Sequence, residues 1–317
     1  MDIKSSFSPF RLSDREVSTL LVFCEVAREN GAAISLKDLS VLASVDCSEE
    51  DLANSWKDYE LLSSRYEIAS GLVLEKTRSK DPVKTRDSMD ARLARANSNI
   101  IFANQLEKLF ERAGAPFEVL SISGSTSYLS VSETDDLDFF CMTKTGGMWG
   151  EFVRALLLAR AFRLSKNVAP WICLSYVADE TFVRKEFFEN QNGLFARDAL
   201  STLVIRGENR FLKLLRENGW MAGYFPKLYS LRVSKREGAF EQTMSPGSLA
   251  RIMNLFLYYT AGTYIKLKSS LLNRKYLRER RFSSLFQLRI GPDHCIYESA
   301  DYLRLKQLYG KLERKDL

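Results

Sequence analysis

The sequence predicts an α+β protein: a small N-terminal module, a mixed-sheet core and a helical C-terminal part. Three observations carry this reading. Apolar residues recur at helical spacing near both ends of the chain. Short apolar runs at 117–122, 137–142 and 171–177 have the length and texture of strands. A polar, mainly basic connector separates the first helices from the first of those strands. The chain of 317 residues, 45% hydrophobic and 12% aromatic, is long enough for two or three domains and apolar enough to bury a core.

Taken in order, residues 11–76 read as a winged-helix-like domain. Ser13-Asp14-Arg15-Glu16 is a capping box with Val17, Leu20, Leu21 and Cys24 at helical spacing behind it, and Asn30-Gly31 is the expected stop. Ser35-Leu36-Lys37-Asp38 opens a second helix and Ser48-Glu49-Glu50-Asp51 a third, expected to reach Leu62. Tyr66 to Leu74 alternates about a Ser70-Gly71 turn, as a hairpin does. Residues 77–115 form a basic connector (Arg78, Lys80, Lys84, Arg86, Arg92, Arg95) that becomes a long helix through Leu106 and Phe110 and stops at Gly114. The core is expected over 116–195: a strand, a Gly-Ser turn, a second strand, a helix from Met148 to Phe162, and a strand from Trp171 to Val177. From 196 to 317 the pattern reads as helical, with helices over Ala199–Asn218, Leu249–Lys268 and Asp301–Leu312.

Charge and cysteine usage narrow the function classes. The formal net charge is +6, and eight basic residues against Glu279 fall between Gly262 and Arg289. That stretch is either a solvated helix face or a surface for a polyanion such as RNA or nucleotide phosphates. The third helix carries Glu49, Glu50, Asp51, Asp58 and Glu60 against Lys57, so duplex DNA is an unlikely partner for it. No run is apolar enough to span a bilayer, and no apolar signal core follows Met1, so no membrane partner and a cytoplasmic location are expected. Cys24, Cys47, Cys141, Cys173 and Cys295 are scattered within apolar runs, as suits buried free thiols, and the single His294 excludes a His-rich metal centre.

The chemistry concentrates at Ser123-Gly124-Ser125 and Asp135-Asp136-Leu137-Asp138. In a strand, residues i and i+2 share a face, so Asp136 and Asp138 are placed to grip one divalent cation or two. A Gly-Ser turn lets backbone N–H groups approach a phosphate closely. Paired carboxylates beside a phosphate cradle are the apparatus of metal-assisted nucleotidyl transfer.

The pattern of an apolar position, Gly124-Ser125, a gap of about ten residues, and Asp136-Leu137-Asp138-Phe139 resembles the signature of the polymerase-β-like nucleotidyltransferase superfamily. In overall plan the chain also looks similar to microbial nucleotidyltransferase-domain proteins with an N-terminal winged-helix-like domain. Thr143-Lys144-Thr145-Gly146-Gly147-Met148-Trp149, Cys173-Leu174-Ser175-Tyr176, Asn218-Gly219-Trp220 and Tyr224-Phe225-Pro226 carry that wider likeness. The resemblance implies a nucleotidyltransferase core and an enzyme that moves an NMP from an NTP to a hydroxyl of RNA, protein or a small molecule, releasing pyrophosphate. It implies Mg²⁺ or Mn²⁺ on Asp136 and Asp138 and phosphate contacts from Gly124 and Ser125. The position of Lys144 suggests a further phosphate contact. An RNA or protein acceptor would meet the basic 262–289 stretch.

One departure stands out. Superfamily members usually add a third carboxylate from a later strand, and 171–177 offers Cys173, Ser175 and Val177 on one face instead. Asp179 is the expected substitute ligand, with Glu180 just beyond it. Asp135 should point away from Asp136 and Asp138. The alternatives are chemistry with two carboxylates, or a catalytically silent nucleotidyltransferase fold that binds nucleotide or RNA or serves as a scaffold.

Overall fold

The computed structural model describes residues 10–29, 32–76, 82–114, 117–165, 170–234 and 247–314. Asn30-Gly31, Arg78 and Lys80 lie outside them. The architecture is α+β, with one six-stranded and one three-stranded sheet. Two compact units divide the chain. The smaller takes the residues up to Asp90, Ala222–Leu231 and those from Leu308 on; the larger takes Ala91–Met221 and Arg232–Gln307.

In the smaller unit α1 (Asp14–Glu29), β1 (Ile34–Ser35), α2 (Leu36–Leu42), α3 (Glu49–Ser55), α4 (Glu60–Ser63), β2 (Tyr66–Ala69) and β3 (Leu72–Glu75) follow in order. The strands form an antiparallel sheet β1-β3-β2. Ser35 caps α2, and Ser48 with Asp51 forms a reciprocal capping box on α3. Ser70 and Gly71 both take left-handed backbone, which suits the tight two-residue turn between β2 and β3. The third helix does not run on to Leu62. A 3-10 turn over Trp56–Asp58 and an extended Tyr59 break it, because Trp56 is buried with its indole N–H donating to the Tyr66 carbonyl at 3.3 Å.

The remaining elements are α5 (Pro82–Arg112), β4 (Val119–Ser123), α6 (Gly124–Ser127), β5 (Leu137–Thr143), α7 (Met148–Ser165), β6 (Ile172–Asp179), α8 (Glu180–Glu189), α9 (Gly193–Ser201), β7 (Leu203–Arg206) and α10 (Glu208–Glu217). Then come α11 (Pro226–Val233), α12 (Ser248–Leu257), a π-helical turn at Tyr258–Gly262, α13 (Thr263–Arg278), β8 (Phe286–Ile290), β9 (His294–Ser299) and α14 (Ala300–Arg314). Among the described residues, no helix is long and apolar enough to cross a membrane.

The large sheet runs β7-β4-β5-β6-β9-β8, with β5 and β6 parallel and every other pairing antiparallel. The expectation of a purely helical segment from 196 onward is therefore corrected: β7, β8 and β9 complete this sheet. Leu203–Arg206 is a four-residue strand inside what reads as one long helix, and Gly207, at φ 78, breaks the helical pattern there. Alternation along Leu120, Ile122, Leu137, Phe139 and Cys141 puts one sheet face against α5 and α7, with Phe110, Trp149 and Phe152 in the same core. The opposite face carries Phe140, stacked on Tyr176 at 4.8 Å and edge-on to Phe187 of α8 and Phe211 of α10. The sheet is thus covered on both sides, and the chemistry-bearing residues lie at one end of its central strands.

Candidate functional site

The Gly-Ser turn and the Asp-x-Asp pair meet at that end. Antiparallel pairing sets Ser123, the last residue of β4, opposite Asp138 near the start of β5. Gly124 then turns the chain at φ 64, a conformation that L side chains adopt only under strain. A Cβ on Gly124 would stand 2.9 Å from Asp138 Oδ2, so the turn rests directly on the carboxylate. Ser127 Oγ donates back to the Gly124 carbonyl at 2.8 Å, and Ser130 N–H donates to the Ser125 carbonyl at 3.0 Å, which close the turn. Thr126 is buried beneath it and accepts from Asn99 of α5 at 3.1 Å. Arg92 and Arg95, also on α5, donate to the Ser130 and Val131 carbonyls and hold the loop that follows.

Asp138 shares its sheet face with Phe140 and Asp136, as period-two alternation requires. Asp136 lies just before β5 and is the more exposed of the two. Burial, then the neighbouring Asp136 charge, pushes the Asp138 carboxyl up to about 7, although Cys173 and Ser175 lie within hydrogen-bonding reach of it. Burial also raises Asp136, with Asp135 adding to the effect and Arg163 opposing it. Asp135 does not belong to the pair. It accepts from Ser132 N–H at 2.9 Å and from Ser132 Oγ, fixing the turn before β5.

Across β6 the partner of Asp138 is Cys173, and a register irregularity between Asp138 and Phe140 brings Ser175 Oγ to 3.2 Å from the Phe139 carbonyl. Burial and the charges of Asp138 and Asp136 hold the Cys173 thiol well above its ordinary range, so it stays protonated and acts as a donor.

Two expected site residues lie elsewhere. Asp179 pairs with Thr143 while Cys173 pairs with Asp138, which puts Asp179 about 20 Å further along β6. It caps α8, accepting from Phe182 N–H at 3.0 Å, and accepts from Gly146 N–H at 3.0 Å. Its role as a third metal ligand is corrected by this geometry. Lys144 follows β5 at the same far end, 3.8 Å from Glu118, away from Gly124. In the basic 262–289 stretch, Arg289 is spent on Glu186, with contacts of 2.6 and 3.2 Å. His294 lies in β9, stacked on Phe182 at 4.0 Å and bonded to Asp293.

Arg163 was missed in the sequence. It sits over the Trp171 ring at 3.3 Å and faces Asp136. Nothing in its helical context marks it, because it reaches the site by three-dimensional proximity from the end of α7. Tyr128, which follows α6, hydrogen-bonds to Asp198 of α9 at 2.5 Å and ties the Gly-Ser turn to the helical layer.

Among the described residues, no group of three or more His, Cys, Asp and Glu side chains is placed to hold a metal ion. The pair Asp136 and Asp138 fits Mg²⁺ or Mn²⁺ all the same. Such ions take hard oxygen donors, and Mg²⁺ is commonly held by one or two carboxylates together with substrate phosphates and water. The thiol of Cys173 adds nothing to that donor set. Comparison with protein-family models, curated proteins and solved structures found no match.

Proposed function

We propose that the protein is a metal-dependent nucleotidyltransferase of polymerase-β-like fold, with a winged-helix-like module in its smaller unit. The observation that carries this is the seating of Gly124 on Asp138: a left-handed turn of Gly and Ser packed against the more buried member of a carboxylate pair. Asp136 and Asp138 would hold Mg²⁺, which neutralises charge developing on the α-phosphate of a bound NTP. The backbone N–H groups of Gly124 and Ser125 would contact the phosphates, and Arg163 balances the charge of Asp136. The acceptor hydroxyl oxygen bonds to the α-phosphorus as the bond to the leaving pyrophosphate breaks, and the hydroxyl proton passes to solvent.

A second reading rests on Cys173. It stands beside Asp138, where a third carboxylate would complete a two-metal set, and this favours a silent fold that binds nucleotide without transferring it. The experiment is incubation with each α-labelled NTP and Mg²⁺ or Mn²⁺, with and without RNA, beside an Asp136→Ala/Asp138→Ala variant. Label transferred by the wild type and lost in the variant supports the enzyme. Metal-dependent NTP binding without transfer supports the silent fold, and no NTP binding at all sinks both.

A further inference from the structure

The helices α12 and α13, with the π-helical turn between them, bury Asn254, Gly262, Ile265 and Ser269 against the core and leave a second apolar side exposed. Asn254 faces inward, its Oδ1 accepting from Trp149 N–H at 2.6 Å and its amide donating to the Pro292 carbonyl at 3.1 Å. Gly262 approaches Trp149 so closely that a Cβ would lie 3.2 Å from the ring, and Ser269 hydrogen-bonds Tyr297. On the outer side, Leu249, Phe256, Tyr264 and Leu271 form one exposed row, and Ile252, Tyr259 and Leu267 a second. Phe256 is 60% exposed and Leu249 76%.

The spacing of these rows is that of a helix-pairing seam. Each steps by seven residues, except for one step of eight across the π-helical turn Tyr258–Gly262. A π turn inserts one extra residue, so the longer step keeps both rows in line along about 33 Å of helix. Two rows at alternating three- and four-residue offsets are the a and d positions of a heptad, whose apolar side chains fill the holes of a facing helix. Scattered exposed apolar residues need no partner; a contiguous stripe of this length does.

Charge selects the partner. From Ser248 to Arg278 there are six basic residues and no acid. A second copy of the chain laid on the stripe would bring only more positive charge to its flanks. We propose that α12 and α13 form the docking seam for an acidic amphipathic helix of a partner protein. Leucine-like residues of that helix fill the two rows, and its flanking Glu or Asp side chains meet Lys268 and Lys275.

The test uses the full chain and two labelled synthetic peptides of about four heptads with Leu at a and d, one with Glu and one with Lys at the flanking e and g positions. Fluorescence anisotropy is expected to show the Glu peptide binding at least about tenfold tighter at low salt, with the advantage shrinking as salt rises. The exposed pair Phe256→Ser/Leu267→Ser should weaken it by at least about tenfold. Lys268→Glu/Lys275→Glu should reverse the preference toward the Lys peptide, an outcome that mere surface stickiness does not give. Equal binding of both peptides overturns the proposal. So does a dimer in sedimentation equilibrium that the serine variants dissociate, or flotation with phosphatidylglycerol vesicles while the Glu peptide fails to bind.

Discussion

Replacing Gly124 by alanine tests the geometry on which the site rests. Two costs are expected. At φ 64 an L side chain carries about 1–2 kcal/mol of backbone strain. The new Cβ would also stand 2.9 Å from Asp138 Oδ2, so the carboxylate must turn out of its preferred rotamer at about 0.5–1.5 kcal/mol. Gly114, which ends α5, is the control in the same unit: its φ is 63, and a Cβ there meets nothing within 4 Å. Gly114→Ala should therefore cost about 1–2 kcal/mol and Gly124→Ala about 1.5–3.5. In a unit of this size that is a fall in melting temperature of about 2–8 °C against about 3–14 °C by scanning calorimetry. The deciding measurement is a double-mutant cycle. In an Asp138→Ala background the second cost disappears, and Gly124→Ala should fall to the cost of Gly114→Ala. An unchanged cost in that background would refute the contact and remove the physical basis for joining the Gly-Ser turn to the carboxylate pair.

Other perturbations separate the site from its surroundings. Because burial pushes the Asp138 carboxyl up to about 7, above the ordinary value of 3.8, the folded state holds its proton more tightly than the unfolded chain. Without metal, this contribution to stability is complete below about pH 4 and is lost as pH rises through about 7; Asp138→Asn should be more stable than wild type at pH 8 and no more stable at pH 4, in denaturant titrations. Mg²⁺ affinity should rise over the same pH window, read by calorimetry at several pH values. Asp179→Ala should lose the α8 cap, at about 1–2 kcal/mol in denaturant titration, and leave Mg²⁺ affinity unchanged. Cys173→Asp should destabilise the metal-free protein by adding a third like charge beside Asp136 and Asp138 and tighten Mn²⁺ binding, measured by calorimetry in wild type and variant.

The local signals in the sequence were strong where chemistry and backbone agree. Ser48 with Asp51, and Asp136 with Leu137 and Asp138, are short patterns whose structure depends on near neighbours. Gly124 was legible for the same reason, since a turn between two apolar runs needs it. The helical reading after 196 failed because β7 is four residues long, and its partner, β4, lies some eighty residues earlier in the chain. Strand pairing of that kind leaves no periodic trace. The assignment of Asp179 failed on distance. It lies only two residues past Val177, yet the extended strand carries it to the far end of the sheet. Arg163 was invisible because its neighbour is set by the packing of α7 and not by spacing.

Two acids on the same side of the sheet, Glu186 of α8 and Asp138 of β5, show why Asp138 is the better candidate for a cation. Glu186 on α8 is neutralised inside the fold: Arg289 approaches it at 2.6 and 3.2 Å, and Asn190 donates to it at 2.9 Å. That is a satisfied ion pair, and its role is complete without any ligand. Asp138 has neutral donors, Cys173 and Ser175, and a like-charged neighbour in Asp136. A carboxylate so placed raises the energy of the folded chain at neutral pH, and Gly124, for which the left-handed backbone is unstrained, packs against it because it has no side chain. Packing alone would be better served there by an apolar side chain. That local cost at Asp138, which the proposed divalent cation would relieve, is what separates it from the satisfied Glu186.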